Sequence, residues 1–192
     1  MAGAEAIGYR GLATFEFLRN SNGQFYFMEV NPRVQVEHTV TEMLTGVDLV
    51  SLGIIVSSGA DLPLGQNDVQ IQGHAIQARI NAENPFTLEP SPGKIWECHW
   101  PGGPGIRVDT HGFSGYEMPE AFDSLLAKII SWAPDREIAI ARLNSALEET
   151  ILLGVDSLIP LHRAILIDED FTERKITTDY LETHADLLIG GD

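Results

Sequence analysis

The segment from residue 29 to residue 37 carries five polar side chains at alternate positions: Glu29, Asn31, Arg33, Gln35 and Glu37. Because successive side chains of an extended chain point to opposite faces, all five are expected to share one face, with apolar residues behind them. The pattern alone fits a half-buried strand whose polar face is solvated. Carboxylates, amides and a guanidinium on one face also fit a site that binds ions.

Two neighbouring features favour the lining of a cleft over a solvated strand face. Phe25 and Phe27 share the parity of Glu29, so the same face is expected to begin with aromatic side chains and to end with charged ones. Pro32 lacks the N–H group of a strand residue, so the strand is not expected to continue undisturbed through the interior of a sheet. A face that changes from aromatic to charged and then bends indicates a binding cleft.

Two carboxylates of this region are side chains of the kind that bind metal ions. Residues 13–19 and 24–31 are predicted to form a β-hairpin. If its register places Glu16 opposite Glu29, these carboxylates and the amide oxygen of Asn31 provide the hard oxygen ligands that Mg²⁺ and Mn²⁺ prefer. In the alternative, Glu16 forms an ion pair with a nearby Lys or Arg.

Arg33 and Glu37 suit the binding and deprotonation of a small anion. The guanidinium of Arg33 presents a planar fork of donors that matches an oxyanion. Glu37 is an acid beside this anion site, as a general base should be. His38 follows directly, but beside a helix start it is expected to be structural rather than a ligand.

Two short helices are predicted to follow these polar residues. Thr39 and Glu42 have the spacing of a capping box, so a first helix is expected to begin there and to end near Gly46. Asp48 is expected to cap a second helix that runs to about residue 59.

The remaining chain is predicted to hold strands and helices in separate runs, which indicates the α+β class. Residues 60–72 are rich in Gly, Pro, Asn and Asp and are predicted to connect two subdomains, 1–59 and 73–192. The strands beyond the connector are predicted at 74–80, 94–99, 105–109 and 124–131. Helices are predicted from Pro134 to Gly154 and at about 158–167 and 178–188.

Composition narrows the range of functions. The 192 residues carry a formal net charge of −16, which argues against a nucleic-acid-binding surface and against an anionic membrane surface. The one cysteine, Cys98, excludes an intrachain disulfide and a cysteine-based metal cluster. Residues 1–8 lack the features of a signal peptide, and the longest apolar stretch, 47–56, is too short to span a bilayer. A cytoplasmic protein is therefore expected.

The segments 14–17 and 27–42 together resemble the signature of the biotin carboxylase family. Their Glu…Glu-x-Asn-x-Arg part is shared with other ATP-grasp enzymes such as carbamoyl-phosphate synthetase. The run Gln-Val-Glu-His at 35–38 is more specific to the biotin-dependent branch. Further segments resemble the same family in order along nearly the whole chain: 73–76, 79–83, 90–93, 101–103, 105–109 and 116–128.

The resemblance implies an architecture and an ATP-side site. The chain would be the C-terminal part of an ATP-grasp enzyme more than twice its length, with a mostly antiparallel sheet flanked by helices. Residues 1–59 would end the ATP-grasp domain, and 73–192 would form the carboxylase C-terminal domain. Glu16, Glu29 and Asn31 would hold the Mg²⁺ or Mn²⁺ that bridges the ATP phosphates. Leu18 would pack near adenine.

The resemblance also implies roles in the chemistry of bicarbonate and biotin. Bicarbonate would be held by Arg33, Gln35 and the backbone N–H of Val36. Glu37 would remove the proton of bicarbonate, so that the dianion attacks ATP and gives carboxyphosphate. Arg107 would stabilise negative charge on the ureido oxygen of biotin as N1 is deprotonated, in the manner of an oxyanion hole.

Several partners and two alternatives follow from the resemblance. The expected partners are a biotin carboxyl carrier protein or domain, a carboxyltransferase component, the N-terminal nucleotide-binding part of the enzyme, and a second copy bound through the C-terminal region. Acetyl-CoA, propionyl-CoA, pyruvate and urea all remain open as acceptors, because the acceptor site belongs to another domain. The isolated chain is expected to be inactive, since the lysines that grip ATP have no counterpart here. The alternatives are an ATP-grasp ligase for another acid and a non-catalytic assembly module.

Overall fold

The computed structural model describes residues 2–184 and 187, and the chain divides into two compact units. The first unit is Met1–Gln72 and the second is Gly73–Asp192. The elements of the first unit are α1 (Ala2–Ala6), β1 (Thr14–Arg19), β2 (Phe25–Asn31), α2 (His38–Thr45), α3 (Leu49–Ser57) and a 3₁₀ turn (Gln66–Asp68).

Strands β1 and β2 form the predicted hairpin, which is a two-stranded antiparallel sheet. Its turn is closed by the N–H of Asn20, which donates to the carbonyl of Gln24 at 3.0 Å, and by the side chain of Asn20, which accepts from the N–H of Gln24 at 2.9 Å. This side-chain bond is a local turn interaction that Asn makes readily, so the sequence Asn-Ser-Asn-Gly places the reversal.

Helices α2 and α3 begin differently from one another. Asp48 caps α3 as predicted, since its carboxylate accepts from the N–H of Ser51 at 2.8 Å. The capping box expected at Thr39 is wrong, because α2 begins at His38 with Glu37 at its N-cap position, and Thr39 is fully buried within the helix. Burial of the Thr39 side chain, not capping, accounts for that residue.

No single helix in the described part of the chain is long and apolar enough to cross a membrane. Helices α2 and α3 reach the length and apolar composition of a membrane span only when they are counted together, and the two are bent by 104° relative to one another.

The second unit holds seven strands and four helices among its described residues, all strand pairs being antiparallel. The strands are β3 (His74–Asn81), β4 (Gly93–Lys94), β5 (Glu97–His99), β6 (Ile106–Thr110), β7 (Glu117–Met118), β8 (Leu125–Ala133) and β9 (Ile151–Leu153). The helices are α4 (Arg136–Glu149), α5 (Ile159–Ile167), α6 (Glu169–Thr172) and α7 (Tyr180–Thr183). The predicted α+β class is confirmed.

The core of the second unit lies between α4 and one face of a three-stranded sheet with the order β3, β8, β6. Asp135 caps α4 by accepting from the N–H of Ile138. The buried residues of this layer are Ala78, Ile80, Ala127, Ile129, Leu143, Ala146 and Leu147. Each fully buried Leu or Ile contributes about 1.5–3 kcal/mol by leaving water, so this layer holds the sheet rigid.

Two predicted boundaries of the second unit differ from the structure. Helix α4 ends at Glu149 rather than at Gly154, because Ile151–Leu153 leave the helix and pair with Glu97–His99. The strand predicted at 94–99 is divided into β4 and β5, because residues 95–96 lie between the segment that pairs with β7 and the segment that pairs with β9. The helix predicted at 178–188 is described only as α7, since residues 185–186 and 188–192 lie outside the described part.

Candidate functional site

Glu16 and Glu29 face each other across the hairpin, as the metal-site prediction requires. Glu16 of β1 is the cross-strand partner of Glu29 of β2, and Thr14 is the partner of Asn31. Partners in an antiparallel pair lie on the same face of the sheet, and like charges placed opposite one another repel. The hairpin therefore concentrates negative charge beside Asn31, which favours a cation or a group of donors at that place.

A β-bulge at Met28 changes which face the aromatic residues occupy. The register passes from Glu16↔Glu29 directly to Phe17↔Phe27, so Met28 has no cross-strand partner. Phe27 consequently lies with Phe17, the two ring centroids 5.7 Å apart, on the face opposite the carboxylates. The expected sharing of one face by Phe25, Phe27 and Glu29 is wrong, because the extra residue shifts the alternation by one.

Leu18 lies on the carboxylate face of the hairpin, one alternation along β1 from Glu16. Its cross-strand partner is Tyr26, and both side chains are about half exposed, at 49% and 54%. The bulge thus brings one aliphatic and one aromatic side chain to the same face as the carboxylates. A flat apolar group could pack there, and Tyr26 is a candidate contact that the sequence analysis did not identify.

The amide of Asn31 bridges the two carboxylates. Its Nδ2 donates to Oε1 of Glu16 at 2.8 Å and to Oε1 of Glu29 at 3.0 Å. The Nε2 of Gln35 donates to the same oxygen of Glu16 at 2.7 Å. Amide N–H groups therefore occupy the place between the carboxylates, where positive charge is most favourable.

The donor set fits a hard divalent cation. Turning the Asn31 amide by half a turn presents its oxygen to that place, and the two ends of an amide have nearly the same shape. Two carboxylates and one amide oxygen are ligands that Mg²⁺ or Mn²⁺ accepts, with water or phosphate oxygens completing the octahedron. Among the described residues, no three His, Cys, Asp and Glu side chains form a metal-binding group, so a ligand such as Asn31 is needed.

Arg33 lies beside this group because the chain bends at Pro32. The N–H of Arg33 donates to the carbonyl of Asn31 at 2.9 Å, which closes a three-residue turn. The guanidinium donates to the carbonyl of Val34 at 3.2 Å and to Oδ1 of Asn31 at 3.5 Å. A guanidinium has five N–H donors, and the side chain is exposed, so Arg33 retains donors that can bind an anion.

Val36 and Glu37 form the turn that leads into α2. Glu37 is exposed at the N-cap position, and its carbonyl accepts from the N–H of Val40 at 3.0 Å. Nδ1 of His38 lies 2.7 Å from the carbonyl of Gln35, which fixes the turn and agrees with a structural role for His38. The predicted metal residues therefore meet across the end of the hairpin, and the predicted anion residues follow in the segment that leads into α2.

Arg107 lies in the second unit and is held by Asp109. Nε and one Nη of Arg107 donate to the two carboxylate oxygens of Asp109 at 2.8 and 3.0 Å, and Nζ of Lys128 lies 3.4 Å from the same carboxylate. Partial burial opposes ionisation of Asp109, but the bonds and charges of Arg107 and Lys128 outweigh it and lower the pKa of its carboxyl. This two-pronged bond fixes the direction of the Arg107 guanidinium.

Arg79 is a second arginine on the same face of the sheet. It is the cross-strand partner of Lys128 on β8, and Lys128 is in turn the partner of Asp109 on β6. Arg79 is exposed, whereas its neighbours Ala78 and Ile80 are buried on the core face. Arg79 is not among the site residues predicted from the sequence. The sequence did contain a signal for this arginine, because its cationic side chain alternates with apolar residues in the 79–83 segment, and the structure buries those apolar residues.

A separate cavity of about 460 Å³ lies within the first unit. Its walls are mainly apolar and come from the loop after α1, from α2 and α3, and from the chain near residue 62. Arg10 and Asp61 form an exposed ion pair at 3.5 Å at its rim. The cavity lacks the convergent polar groups of the hairpin, so the hairpin is the better candidate for chemistry on ions.

Comparison with protein-family models covers most of the chain. The model described as "Biotin carboxylase C-terminal domain" matches residues 77–183, and the model described as "Carbamoyl-phosphate synthase L chain, ATP binding domain" matches residues 1–65. Among curated proteins, "Biotin carboxylase" of Allochromatium vinosum is 52% identical over 94% of this chain and 40% of its own length. "Biotin carboxylase" of Haemophilus influenzae is 51% identical over 92% of this chain and 39% of its own.

Solved structures of carboxylases are similar to this chain. The biotin carboxylase domain dimer of Hydrogenobacter thermophilus 2-oxoglutarate carboxylase, in complex with MgADP, ADP and bicarbonate, has a TM-score of 0.95 and 45% identity. The match covers 98% of this chain and 42% of that one. A structure described as the biotin carboxylase subunit of pyruvate carboxylase has a TM-score of 0.95 and 42% identity, covering 98% and 42%. The chain thus spans about 40% of the length of the curated relatives that it matches.

Proposed function

Because the chain belongs to the biotin carboxylase family, we propose that it forms the metal- and bicarbonate-binding part of an enzyme that carboxylates biotin with ATP. The observation that carries this proposal is the convergence of Glu16, Glu29 and Asn31 beside Arg33. Residues 1–59 would end the ATP-grasp domain, 60–72 would connect, and 73–192 would form the carboxylase C-terminal domain. The preceding part of the enzyme would supply most of the nucleotide site.

The residues of the hairpin would share the binding of ATP, metal and bicarbonate. Glu16, Glu29 and Asn31 would hold Mg²⁺ or Mn²⁺, which when bound neutralises charge on the ATP phosphates. Leu18 would pack against adenine on the carboxylate face. The turn after the hairpin would hold bicarbonate through donors of the right kind, namely the Arg33 guanidinium, the Gln35 amide and the backbone N–H of Val36.

Glu37 would act as the general base. Its carboxylate takes the proton of bicarbonate, and the resulting dianion attacks the γ-phosphate of ATP, releasing ADP and forming carboxyphosphate. Carboxyphosphate breaks down to CO₂ and phosphate, and the phosphate takes the proton from N1 of biotin. The biotin enolate then attacks CO₂ to give carboxybiotin. The Glu37 carboxylate is exposed at a turn, where a small substrate can reach it.

Two arginines are candidates for stabilising the biotin enolate. The resemblance assigns this role to Arg107, whose guanidinium is fixed by Asp109. Arg79 is more exposed and lies on the same face of the sheet, so it is the second candidate. Replacing each by Ala separates them: the arginine that contacts biotin should, when removed, lower biotin carboxylation more than bicarbonate-dependent ATP cleavage.

The enzyme is proposed to work with further components. They are a biotin carboxyl carrier protein or domain, a carboxyltransferase component and a second copy of the chain bound through the C-terminal region, in a cytoplasmic setting. The similar structures come from a 2-oxoglutarate carboxylase, as a dimer of biotin carboxylase domains, and from a pyruvate carboxylase, which supports a multi-component carboxylase. The acceptor would be an acyl-CoA, pyruvate or urea.

The test uses a completed enzyme, in which this chain follows the preceding part of a biotin carboxylase. Glu37→Gln should abolish bicarbonate-dependent ATP cleavage, because the amide keeps the shape but cannot take the proton. Glu89→Gln, at an exposed glutamate of the second unit, is the matched control and should retain activity. Undiminished turnover by the Glu37 variant would exclude the base assignment, and an inactive completed enzyme would contradict the proposed function.

A further inference from the structure

Helix α5 covers the outer edge of β3 at Arg79. Within the described sheet, β3 pairs only with β8, and alternate residues of such an edge strand direct their backbone groups away from the partner. At Arg79 and Asn81, two alternate residues of this edge, the hydrogen-bond donor comes from α5 or its N-cap residue and not from a neighbouring strand. Nε2 of His162 lies 2.7 Å from the carbonyl of Arg79, and the N–H of Leu158 lies 3.3 Å from the carbonyl of Asn81.

The His162 ring is well suited to donate this hydrogen bond. Burial lowers the pKa of His162, although the bond to the Arg79 carbonyl acts in the opposite direction. The imidazole is therefore neutral near pH 7, and its single N–H must lie on Nε2, because a carbonyl only accepts. The ring is anchored in the first turn of α5, where the N–H of His162 donates to the carbonyl of Leu158 at 2.9 Å and Leu161 is buried.

The bond acts at Arg79, whose side chain is one of the two candidate contacts for biotin. The carbonyl and the side chain of Arg79 belong to one residue, so a shift of that carbonyl also turns the Cα–Cβ direction. Without the His162 donor the carbonyl of Arg79 loses its hydrogen-bond partner, and the edge of β3 would then shift as another donor takes that place. Displacements of about 1 Å in substrate-positioning groups are enough to reduce rates strongly.

We propose that His162 is a positioning residue for Arg79, because its ring N–H holds the Arg79 backbone and thereby directs the guanidinium from the sheet edge. This inference rests on the proposed function, in which Arg79 is a candidate for contacting biotin. A purely structural His162 would lower the stability of the second unit without a selective effect on biotin. A positioning His162 changes the reaction of biotin and leaves bicarbonate-dependent ATP cleavage nearly unchanged.

The test compares His162→Gln with His162→Leu in the completed enzyme. Gln places an amide N–H near the position of Nε2, whereas Leu fills the space without a donor. His162→Leu should lower kcat/KM for free biotin on the order of tenfold, while bicarbonate-dependent ATP cleavage changes less than about threefold. His162→Gln, which keeps an N–H donor, should retain a kcat/KM for biotin within about threefold of that of the unsubstituted enzyme.

A double-mutant cycle tests whether His162 acts through Arg79. It uses His162→Leu, Arg79→Ala and the variant that carries both substitutions. If His162 acts through Arg79, His162→Leu should cause no further loss when Arg79 is already Ala, because coupled residues are not additive. Additive losses, or a His162→Gln variant as impaired as His162→Leu, would overturn the positioning role while leaving the proposed function intact. Unchanged kcat/KM for biotin in Arg79→Ala would remove Arg79 from the proposed function and the inference with it. If His162→Leu does not fold, His162→Asn, whose amide is too short to reach, replaces it.

Discussion

Replacing Glu16 by Gln should weaken the binding of Mn²⁺ to the chain by about thirtyfold, because the ion loses its attraction to one unit charge. The substitution keeps the length of the side chain and one oxygen acceptor but removes one of the two carboxylates that converge on the Asn31 amide. Mn²⁺ serves as the probe because it shares the ligand preferences of Mg²⁺ and is detected by its electron paramagnetic resonance spectrum.

The magnitude follows from the charge that is lost. A unit charge about 4 Å from another contributes about 1 kcal/mol with the screening of bulk water, and a divalent ion doubles this value. Glu16 is half-buried and Glu29 is exposed, so water-like screening is the conservative choice for this site. About 2 kcal/mol corresponds to roughly thirtyfold in Kd. Without ATP phosphates the starting affinity should be weak, since two carboxylates rarely satisfy such an ion alone.

The assay titrates Mn²⁺ into the 192-residue chain at fixed ionic strength and measures the unbound ion. Glu5→Gln is the matched control, because it makes the same change to the net charge of −16 at an exposed residue away from the hairpin pair. The control should leave Kd unchanged. If Glu16→Gln and Glu5→Gln have the same effect, Mn²⁺ responds only to the overall negative charge, and the hairpin is not its site.

Two further predictions concern the framework of the second unit. Gly154→Ala should lower the free energy of unfolding by about 3 kcal/mol or more, because φ is +108° and the new Cβ would lie 2.1 Å from the carbonyl oxygen of Lys94. Gly115→Ala, with φ of +94° and open space, should cost only about 1 kcal/mol in urea unfolding; equal losses would contradict the overlap. Asp109→Asn should destabilise by about 1 kcal/mol at pH 7, since the charged bonds are partly exposed. The folded pKa of Asp109 lies below its unfolded value of about 3.9, so its contribution is complete above that pH and is lost as the pH falls through the folded value; urea midpoints that stay equally far apart in acid would contradict this.

The sequence predicted the hairpin and its charged end because both depend on local signals. Alternation and a strong turn at 20–23 predicted the hairpin but left its register open. The polar residues at 29–37 are close in the chain, so their meeting needed no distant contact. The bulge at Met28 had no such signal. It reversed the face of Phe25 and Phe27, although the local composition is that of an ordinary strand.

The missed features depend on contacts between residues far apart in the chain. Helix α4 ends early because residues 151–153 find a partner strand at 97–99, which local helix propensity does not report. The bond between His162 and Arg79 likewise joins residues 83 positions apart. The sequence predicted a helix at about 158–167, but it could not show which strand edge that helix covers.

The hairpin and the three-stranded sheet differ in how much they bury, and this sets an order of local opening. The rings of Phe17, Phe25 and Phe27 are between half and two-thirds exposed, whereas Ile129 and Ile130 at the centre of β8 are fully buried. Separating β1 from β2 therefore uncovers little additional apolar surface, while separating β8 uncovers the core. We therefore expect amide hydrogens of the hairpin to exchange with solvent through small, frequent fluctuations, and those of β8 to exchange only when the second unit unfolds as a whole.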